Sequence, residues 1–221
     1  MVGAPALRQG VERLIAVRER GFTLIELMVA IAVMALLLVA VSPALKDWMI
    51  NVRIRNAASA IEQGLQLARQ EAIRRNQSTG FYLVSSSAAN PGTLDNTCAL
   101  SSSSGSWVVS MRSPAGKCAT APSATVDPML VNSHPVGDGG QGVAVAATQT
   151  DKTTAANTVT FNGLGSVINA GPIARVNVIA ATNSNQYRSL CVEISGVGAA
   201  RVCDPALAAG DPRACRGACT N

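Results

Sequence analysis

The longest apolar run of the chain lies near its N-terminus. Between Phe22 and Val41 the only charged residue is Glu26. At about 1.5 Å of rise per residue, a helix of this length would cross the roughly 30 Å hydrocarbon core of a bilayer. The pattern therefore predicts a membrane-spanning helix that carries one carboxylate close to its start.

Beyond Pro43 the pattern changes to that of an amphipathic helix. Apolar residues recur at steps of three, four or seven, which places them on one helical face: Ile50, Ile54, Ile61, Leu65, Ala68 and Ala72. Charged residues recur on another face. We expect the helix to continue to about Asn76, with Glu71 and Arg75 paired one turn apart near its end.

Short runs of apolar and β-branched residues follow the helix and predict strands. They lie at residues 80–84, 105–110, 142–147, 158–161, 174–181, 189–194 and 200–203. The segments 85–106 and 113–138 are rich in Ser, Pro, Gly or Ala and are expected to be irregular. The chain is thus predicted to be an α+β protein, with a long N-terminal helix and one antiparallel β-rich head at 77–221 that ends in a tail, residues 204–221.

Charge predicts the orientation of the span. The net charge is +5, and the first 21 residues contain four Arg and two Glu, so that the remainder carries +3. An excess of Arg before the first helix holds that end in the cytoplasm. We therefore expect a single-pass inner-membrane protein with a cytoplasmic N-terminus and a periplasmic head.

Cysteine usage agrees with export, because all six cysteines follow the span. A hairpin over residues 190–203 would bring Cys191 and Cys203 together, so we expect a bond between them. A second bond, between Cys98 and Cys118, would staple the loops around the strand that contains Trp107. Cys215 and Cys219 then remain as a pair, although six cysteines allow other connectivities.

Catalytic and metal chemistry find little support in the sequence. His134 is the only histidine and is expected in a loop, so a Ser/His or Cys/His nucleophilic site is not predicted. A zinc site is the alternative use of the cysteines, but Cys215 and Cys219 form the only close pair. We expect neither an enzyme nor a metal or cofactor.

The start of the apolar run, Arg20-Gly21-Phe22-Thr23-Leu24-Ile25-Glu26, resembles the class III signal of type IV pilins and pseudopilins. This resemblance implies that a prepilin peptidase cleaves between Gly21 and Phe22 and methylates the new N-terminus at Phe22. It implies that Glu26, then the fifth residue, pairs with the N-terminal amine of a neighbouring subunit during filament assembly. It also implies a helix kink at Pro43.

Two ordinary alternatives fit the N-terminus less well. One alternative is an ordinary signal anchor in which the carboxylate has no role. Such a segment would not place Gly21, Phe22, Glu26 and Pro43 at the spacing that the family shows. A cleaved secretory signal would have a shorter apolar region followed by a small-residue cleavage site. The resemblance accordingly implies a leader at 1–21, a transmembrane and filament-core helix at 22–42, and an amphipathic continuation at 43–76.

The end of the predicted helix indicates which group within this family the chain resembles. Residues 65–76 are similar to the helix end of the GspH/FimT group of minor pilins and pseudopilins, with Gln70 where that group has serine. This implies a type IV pilin-like fold and a FimT/FimU-like minor pilin, a structural subunit at or near the tip of a type IV pilus that takes part in pilus assembly. A GspH-like pseudopilin of a type II secretion system is the alternative. The implied partners are other pilins or pseudopilins, the prepilin peptidase and the inner-membrane assembly platform.

The third candidate function is DNA uptake in natural transformation. Some FimT-type pilins bind DNA through a Gly-Arg-x-Arg motif, and here Gly198-Ala199-Ala200-Arg201 lies at that place, with Ala199 replacing the first arginine. The candidate residues for phosphate contacts with double-stranded DNA are Arg201, Arg213, Arg216 and Arg188. The alternative interpretation is a solvated hairpin edge and tail.

Overall fold

The structure, a computed structural model, describes residues 21–87, 90, 92–182, 186–216 and 219. The predicted leader, apart from Gly21, lies outside the described residues. The chain divides into two compact units, residues 1–43 and 44–221. Each unit is described by itself below.

The one helix among the described residues, α1, extends over Leu24–Arg75. No unbroken helical segment of the described chain is both long and apolar enough to span a membrane. The segments Leu24–Val39 and Ala44–Arg75 meet that test only as a pair, with a break between them that includes Pro43. The kink at Pro43 stays a prediction.

The part of α1 in the second unit presents one face to the head, as its sequence pattern predicts. The buried residues of this face are Ile54, Ala57, Ala58, Ile61, Leu65, Ala68 and Ala72. The helix ends at Arg75, and Asn76 follows with a φ of 50°, a left-handed conformation that asparagine tolerates better than most residues. The expected ion pair between Glu71 and Arg75 is present at 2.7 Å.

Eight strands form two antiparallel sheets of four. Their bounds are β1 Thr79–Leu83, β2 Trp107–Ser110, β3 Leu130–His134, β4 Val143–Thr148, β5 Thr158–Phe161, β6 Arg175–Ala180, β7 Leu190–Ile194 and β8 Ala200–Cys203. The strand order is β3-β2-β1-β5 in one sheet and β4-β6-β7-β8 in the other. The predicted α+β class is confirmed.

Strand β3 is the element that the sequence did not predict. It lies inside segment 113–138, which was expected to be irregular, and it pairs with β2 so that His134 stands opposite Trp107. The imidazole and indole rings stack, with their centroids 5.4 Å apart. His134 is therefore a strand residue rather than the loop residue that its neighbour Pro135 suggested.

Both sheets and the helix share one hydrophobic core, which lies entirely within the second unit. Strand β1 is buried on both faces: Phe81 and Leu83 join this core, whereas Tyr82 belongs to a smaller cluster on the opposite face. Gly64 in α1 permits the close contact between the helix and the sheet that contains β1 and β2. A Cβ atom on Gly64 would lie 2.8 Å from the Phe81 ring and 2.9 Å from the Trp107 ring, so a larger residue there would push the helix away from the sheet.

Candidate functional site

The predicted cleavage junction lies directly before α1. The helix is capped by Thr23, whose hydroxyl oxygen accepts a hydrogen bond from the backbone N–H of Glu26 at 3.3 Å. A Cβ atom on Gly21 would meet no described atom within 4 Å. The described structure therefore gives no steric reason for glycine at this position, and the cleavage site stays a prediction.

Glu26 occupies the first turn of α1 and is exposed. A carboxylate there interacts favourably with the positive end of the helix dipole. Among the residues that the structure describes, no cation pairs with it. The pairing of Glu26 with an amine of a neighbouring subunit stays a prediction.

The first half of α1 presents an uncovered apolar surface. Every described large apolar side chain between Phe22 and Val41 is at least half exposed, from 50% for Val33 to 84% for Phe22. A continuous apolar surface of this extent needs a bilayer or other apolar helices around it. This segment is the part of the chain that must be buried by something outside the chain.

The cysteines at the end of the chain form a cluster whose bonding differs from the prediction. Cys191 is bonded to Cys219 and Cys203 to Cys215, so the predicted Cys191–Cys203 bond, with Cys215 and Cys219 left as a pair, is wrong. Cys191 and Cys203 are indeed direct partners across β7 and β8. The Cβ atoms of such partners lie about 4.5–5.5 Å apart, whereas a disulfide needs about 3.8 Å, and the tail folds back to supply better-placed sulfurs.

The Cys98–Cys118 bond is present as predicted. Its residues are buried beside Tyr82, Val108 and Leu130 in the smaller hydrophobic cluster. The bond closes a loop with a sequence separation of 20 residues, which is worth about 3 kcal/mol in the chain-entropy model. It fixes the irregular segments on either side of β2 to the outer face of the first sheet.

Glu193 holds the C-terminal tail in place. It is 7% exposed, and its carboxylate accepts hydrogen bonds from the backbone N–H groups of Arg216 at 2.9 Å and Cys219 at 3.2 Å. Arg201, its partner across the hairpin, donates to the same carboxylate. Glu193 is a site residue that the sequence did not predict, although its charge within the apolar strand Leu190–Ile194, opposite Arg201, is a signal that could have indicated it.

Three of the four arginines proposed for phosphate contacts are bound to acidic groups of the chain. Arg201 pairs with Glu193, Arg188 with Asp204, and Arg213 with Asp211. The hydrogen bond from Arg213 lowers the pKa of the Asp211 carboxyl. Arg216 uses its backbone N–H on Glu193, and within the described residues its exposed side chain forms no ion pair. The structure brings these residues to one region but neutralises most of their charge.

Gly198, the first residue of the proposed motif, has a structural role. Its φ is +80°, and a Cβ atom there would lie 2.0 Å from the carbonyl oxygen of Gly165. The same oxygen accepts a hydrogen bond from Arg69 Nε of α1 at 3.0 Å. The turn between β7 and β8 is therefore packed closely against the loop after β5, and only glycine fits.

The described residues contain one cluster with metal-ligand chemistry. Donor atoms of Glu193, Cys203, Cys215 and Cys219 lie within 4.8 Å of one another. The three sulfurs are bound in disulfides, and a metal is bound by thiolate rather than by disulfide sulfur. In its oxidised form the cluster therefore cross-links the tail to β7 and β8 rather than acting as a metal centre.

Two family models match the chain. One, described as type II transport protein GspH, matches residues 57–198, which is more than half of the chain. The other, described as prokaryotic N-terminal methylation motif, matches residues 17–42 and includes the Gly21-Phe22 junction and Glu26. The two models match adjacent parts of the chain, the methylation motif before the head and the GspH model across it.

Two solved structures are similar to the chain, both of the type IV minor pilin FimU from Pseudomonas aeruginosa strain PAO1. One is 14% identical with a TM-score of 0.41 and covers 67% of this chain and 87% of FimU. The other is 15% identical with a TM-score of 0.39 and covers 67% of this chain and 90% of FimU. No curated protein matches the chain.

Proposed function

The chain belongs to the family of the type II transport protein GspH, a family of minor pilins and pseudopilins, and we propose that it is a minor pilin of a type IV pilus. In this role it is a structural subunit at or near the filament tip and takes part in pilus assembly. The observation that supports a filament subunit is the uncovered apolar half of α1, which begins with the methylation motif and with Glu26, a carboxylate that pairs with no cation among the described residues.

The first proposed step is insertion of the subunit into the membrane. The N-terminal methylation motif and the helix behind it indicate membrane anchoring. We propose a single pass through the inner membrane, with the leader at 1–21 in the cytoplasm and the head in the periplasm. A prepilin peptidase then cleaves between Gly21 and Phe22 and methylates Phe22, which leaves a charged amine at the start of an apolar helix.

The proposed assembly step depends on the free-energy cost of placing a charged group in an apolar medium. A carboxylate inside a membrane or a helix bundle costs several kcal/mol unless it is paired. The Phe22 amine of a neighbouring subunit supplies the partner for Glu26, so that correct registry of the two helices neutralises both charges. The inner-membrane platform and the other pilins of the filament are the proposed partners.

A pseudopilin of a type II secretion system is the second candidate. The description of the matching family model favours it, and the physical account of the helix, the junction and Glu26 is the same for both machines. What differs is the filament into which the subunit is built.

Double-stranded DNA is a weaker candidate ligand. The arginines that would contact phosphates are Arg188, Arg201, Arg213 and Arg216, and acidic groups of the chain already pair with three of them. A phosphate contact by those three would require breaking an existing ion pair. The pairing favours a structural role for this region over DNA uptake.

Deletion of the gene tests the proposal and separates the candidates. Twitching motility, protein secretion and natural transformation are scored in the same deletion strain, before and after complementation with the wild-type chain or Glu26→Ala. Loss of twitching with normal secretion supports the minor pilin, and the reverse supports the pseudopilin. A deletion that leaves all three unchanged would contradict a filament role.

A further inference from the structure

A cleft of about 670 Å³ opens in the head beside the first turns of its helix. Asn51, Ile54 and Arg55 of α1 form one wall, and Leu190 of β7 and Val202 of β8 contribute to the other. All of these residues belong to the second unit. The cleft is large enough for several side chains of a bound peptide.

The interior of the cleft is apolar. Ile54 is 1% exposed at its base, and Leu190 and Val202 are partly buried and pack against the main core. Apolar surface that stays partly accessible in a concave site gains free energy when a ligand covers it. This part of the cleft suits aliphatic side chains.

The rim of the cleft is basic. Arg188 and Arg213 lie on the side of the strands, and the buried carboxylate of Asp204 between them is occupied by Arg188 and by the backbone N–H of Ala206. On the helix side, Arg55 is exposed and forms no ion pair with any described residue. The one cation of the rim that lacks a partner is therefore Arg55.

We infer that this cleft binds an acidic peptide segment of a neighbouring subunit in the filament. An aliphatic side chain of the segment lies over Leu190 and Val202, which are only partly buried, and a carboxylate pairs with the exposed Arg55. The inference rests on the proposed function, because a filament is what brings a second subunit to this face. Nucleic acid fits less well, since the lining contains no aromatic ring on which a base could stack.

Charge reversal in the full-length chain tests this site. Arg55→Glu and the matched control Arg53→Glu are expressed in the deletion strain, and the amount of subunit in sheared filaments is divided by the amount in membranes. Arg53 lies two residues away and contacts the backbone oxygen of Gln141 instead of the cleft. We expect Arg55→Glu to lower the ratio about tenfold and Arg53→Glu to leave it within about twofold.

A photoreactive residue, p-benzoylphenylalanine, placed at 55 or at 53 identifies the occupant. Crosslinking at 55 to a peptide of another pilin subunit that contains Asp or Glu supports the inference, provided that position 53 does not crosslink there. Crosslinks to DNA, to a segment without an acidic residue, or to nothing would overturn it, as would normal incorporation of Arg55→Glu. Glu26→Ala separates the two proposals: if it abolishes incorporation while Arg55→Glu does not, only the cleft is refuted, and if Glu26→Ala also assembles normally, the proposed filament role fails.

Discussion

Arg201 and Glu193 face each other across the β7–β8 hairpin, and the guanidinium of Arg201 donates two hydrogen bonds to one carboxylate oxygen, at 2.7 Å from Nη2 and 3.1 Å from Nε. Arg201 Nη2 also donates to the backbone oxygen of Ala214 in the tail. The arginine that stands where a DNA-binding motif was expected thus connects a strand, its neighbour and the C-terminal tail.

We predict that Glu193→Gln destabilises the head by about 1–3 kcal/mol, because four N–H donors, from Arg201, Arg216 and Cys219, lose their charged acceptor. Urea unfolding of residues 44–221, which contain the whole core, measures the loss. Asp211→Asn is the control, since it breaks an ion pair whose arginine is 69% exposed and should destabilise the head less than Glu193→Gln does. Equal losses in the two variants would contradict the role of Glu193.

The connectivity of the tail cysteines depends on the hydrogen bonds that the Glu193 carboxylate accepts from the tail. Peptide mapping of the unreduced wild-type head should find Cys191 bonded to Cys219 and Cys203 to Cys215. In Glu193→Gln the tail is held less firmly over β7, so we expect a measurable fraction of Cys191–Cys203 peptides. A wild-type protein with mainly Cys191–Cys203 bonds would refute the described arrangement.

Gly198→Ala should destabilise the head by about 2 kcal/mol or more, since it combines a positive φ with a clash against the Gly165 carbonyl oxygen. Gly196 offers a matched control two residues away in the same turn. A Cβ atom there would meet nothing within 4 Å, so Gly196→Ala should change the free energy of unfolding by less than about 1 kcal/mol. Thermal unfolding of both variants measures the difference in stability. Similar midpoints would show that the turn is not tightly packed.

Stability should fall as the pH drops through the titration range of His134. Burial lowers the pKa of the imidazole in the folded state below its ordinary value of 6.5. Below pH 6.5 the unfolded chain binds the proton more readily than the folded chain, so acid favours unfolding. The stability that the neutral imidazole contributes is fully present above pH 6.5. We predict a smaller loss of unfolding temperature between pH 7.5 and pH 5.5 in His134→Gln than in wild type. Identical losses would exclude His134 as the cause.

The paired arginines lead to a prediction about DNA. Because Arg201 is bound to Glu193 and to the tail, Arg201→Ala should lower the stability of the head without weakening its retention of duplex DNA in a low-salt gel shift. Arg216→Ala, which removes an exposed side chain without an ion pair among the described residues, provides the comparison. A strong shift that Arg201→Ala abolishes at a temperature where the head stays folded would instead support DNA uptake.

The helix and most strands could be predicted from the sequence because their signals are local. The spacing of Ile54, Ile61 and Leu65 marks a buried helical face, and the short β-branched runs mark strands. Strand β3 was missed because Asn132 and Ser133 at its centre are polar. It is a strand because β2 supplies its hydrogen-bond partners, which is a tertiary effect.

The tail shows why the rest of the site could not be predicted. Cys191 and Cys203 are neighbours across a hairpin, and a local argument therefore pairs them. The actual partners are brought in by a tail whose path depends on the buried carboxylate of Glu193. No spacing in the sequence encodes that path, because it results from hydrogen bonds between segments more than 20 residues apart.

Cleavage between Gly21 and Phe22, followed by assembly into a filament, can be checked on a single peptide. Mass spectrometry of the N-terminal peptide of this chain, taken from sheared surface filaments of the native organism, should show Phe22 as the first residue, with a methyl group on its amine. Absence of the chain from the filaments, or an N-terminus at Met1 or at any residue other than Phe22, would refute cleavage and assembly of this kind.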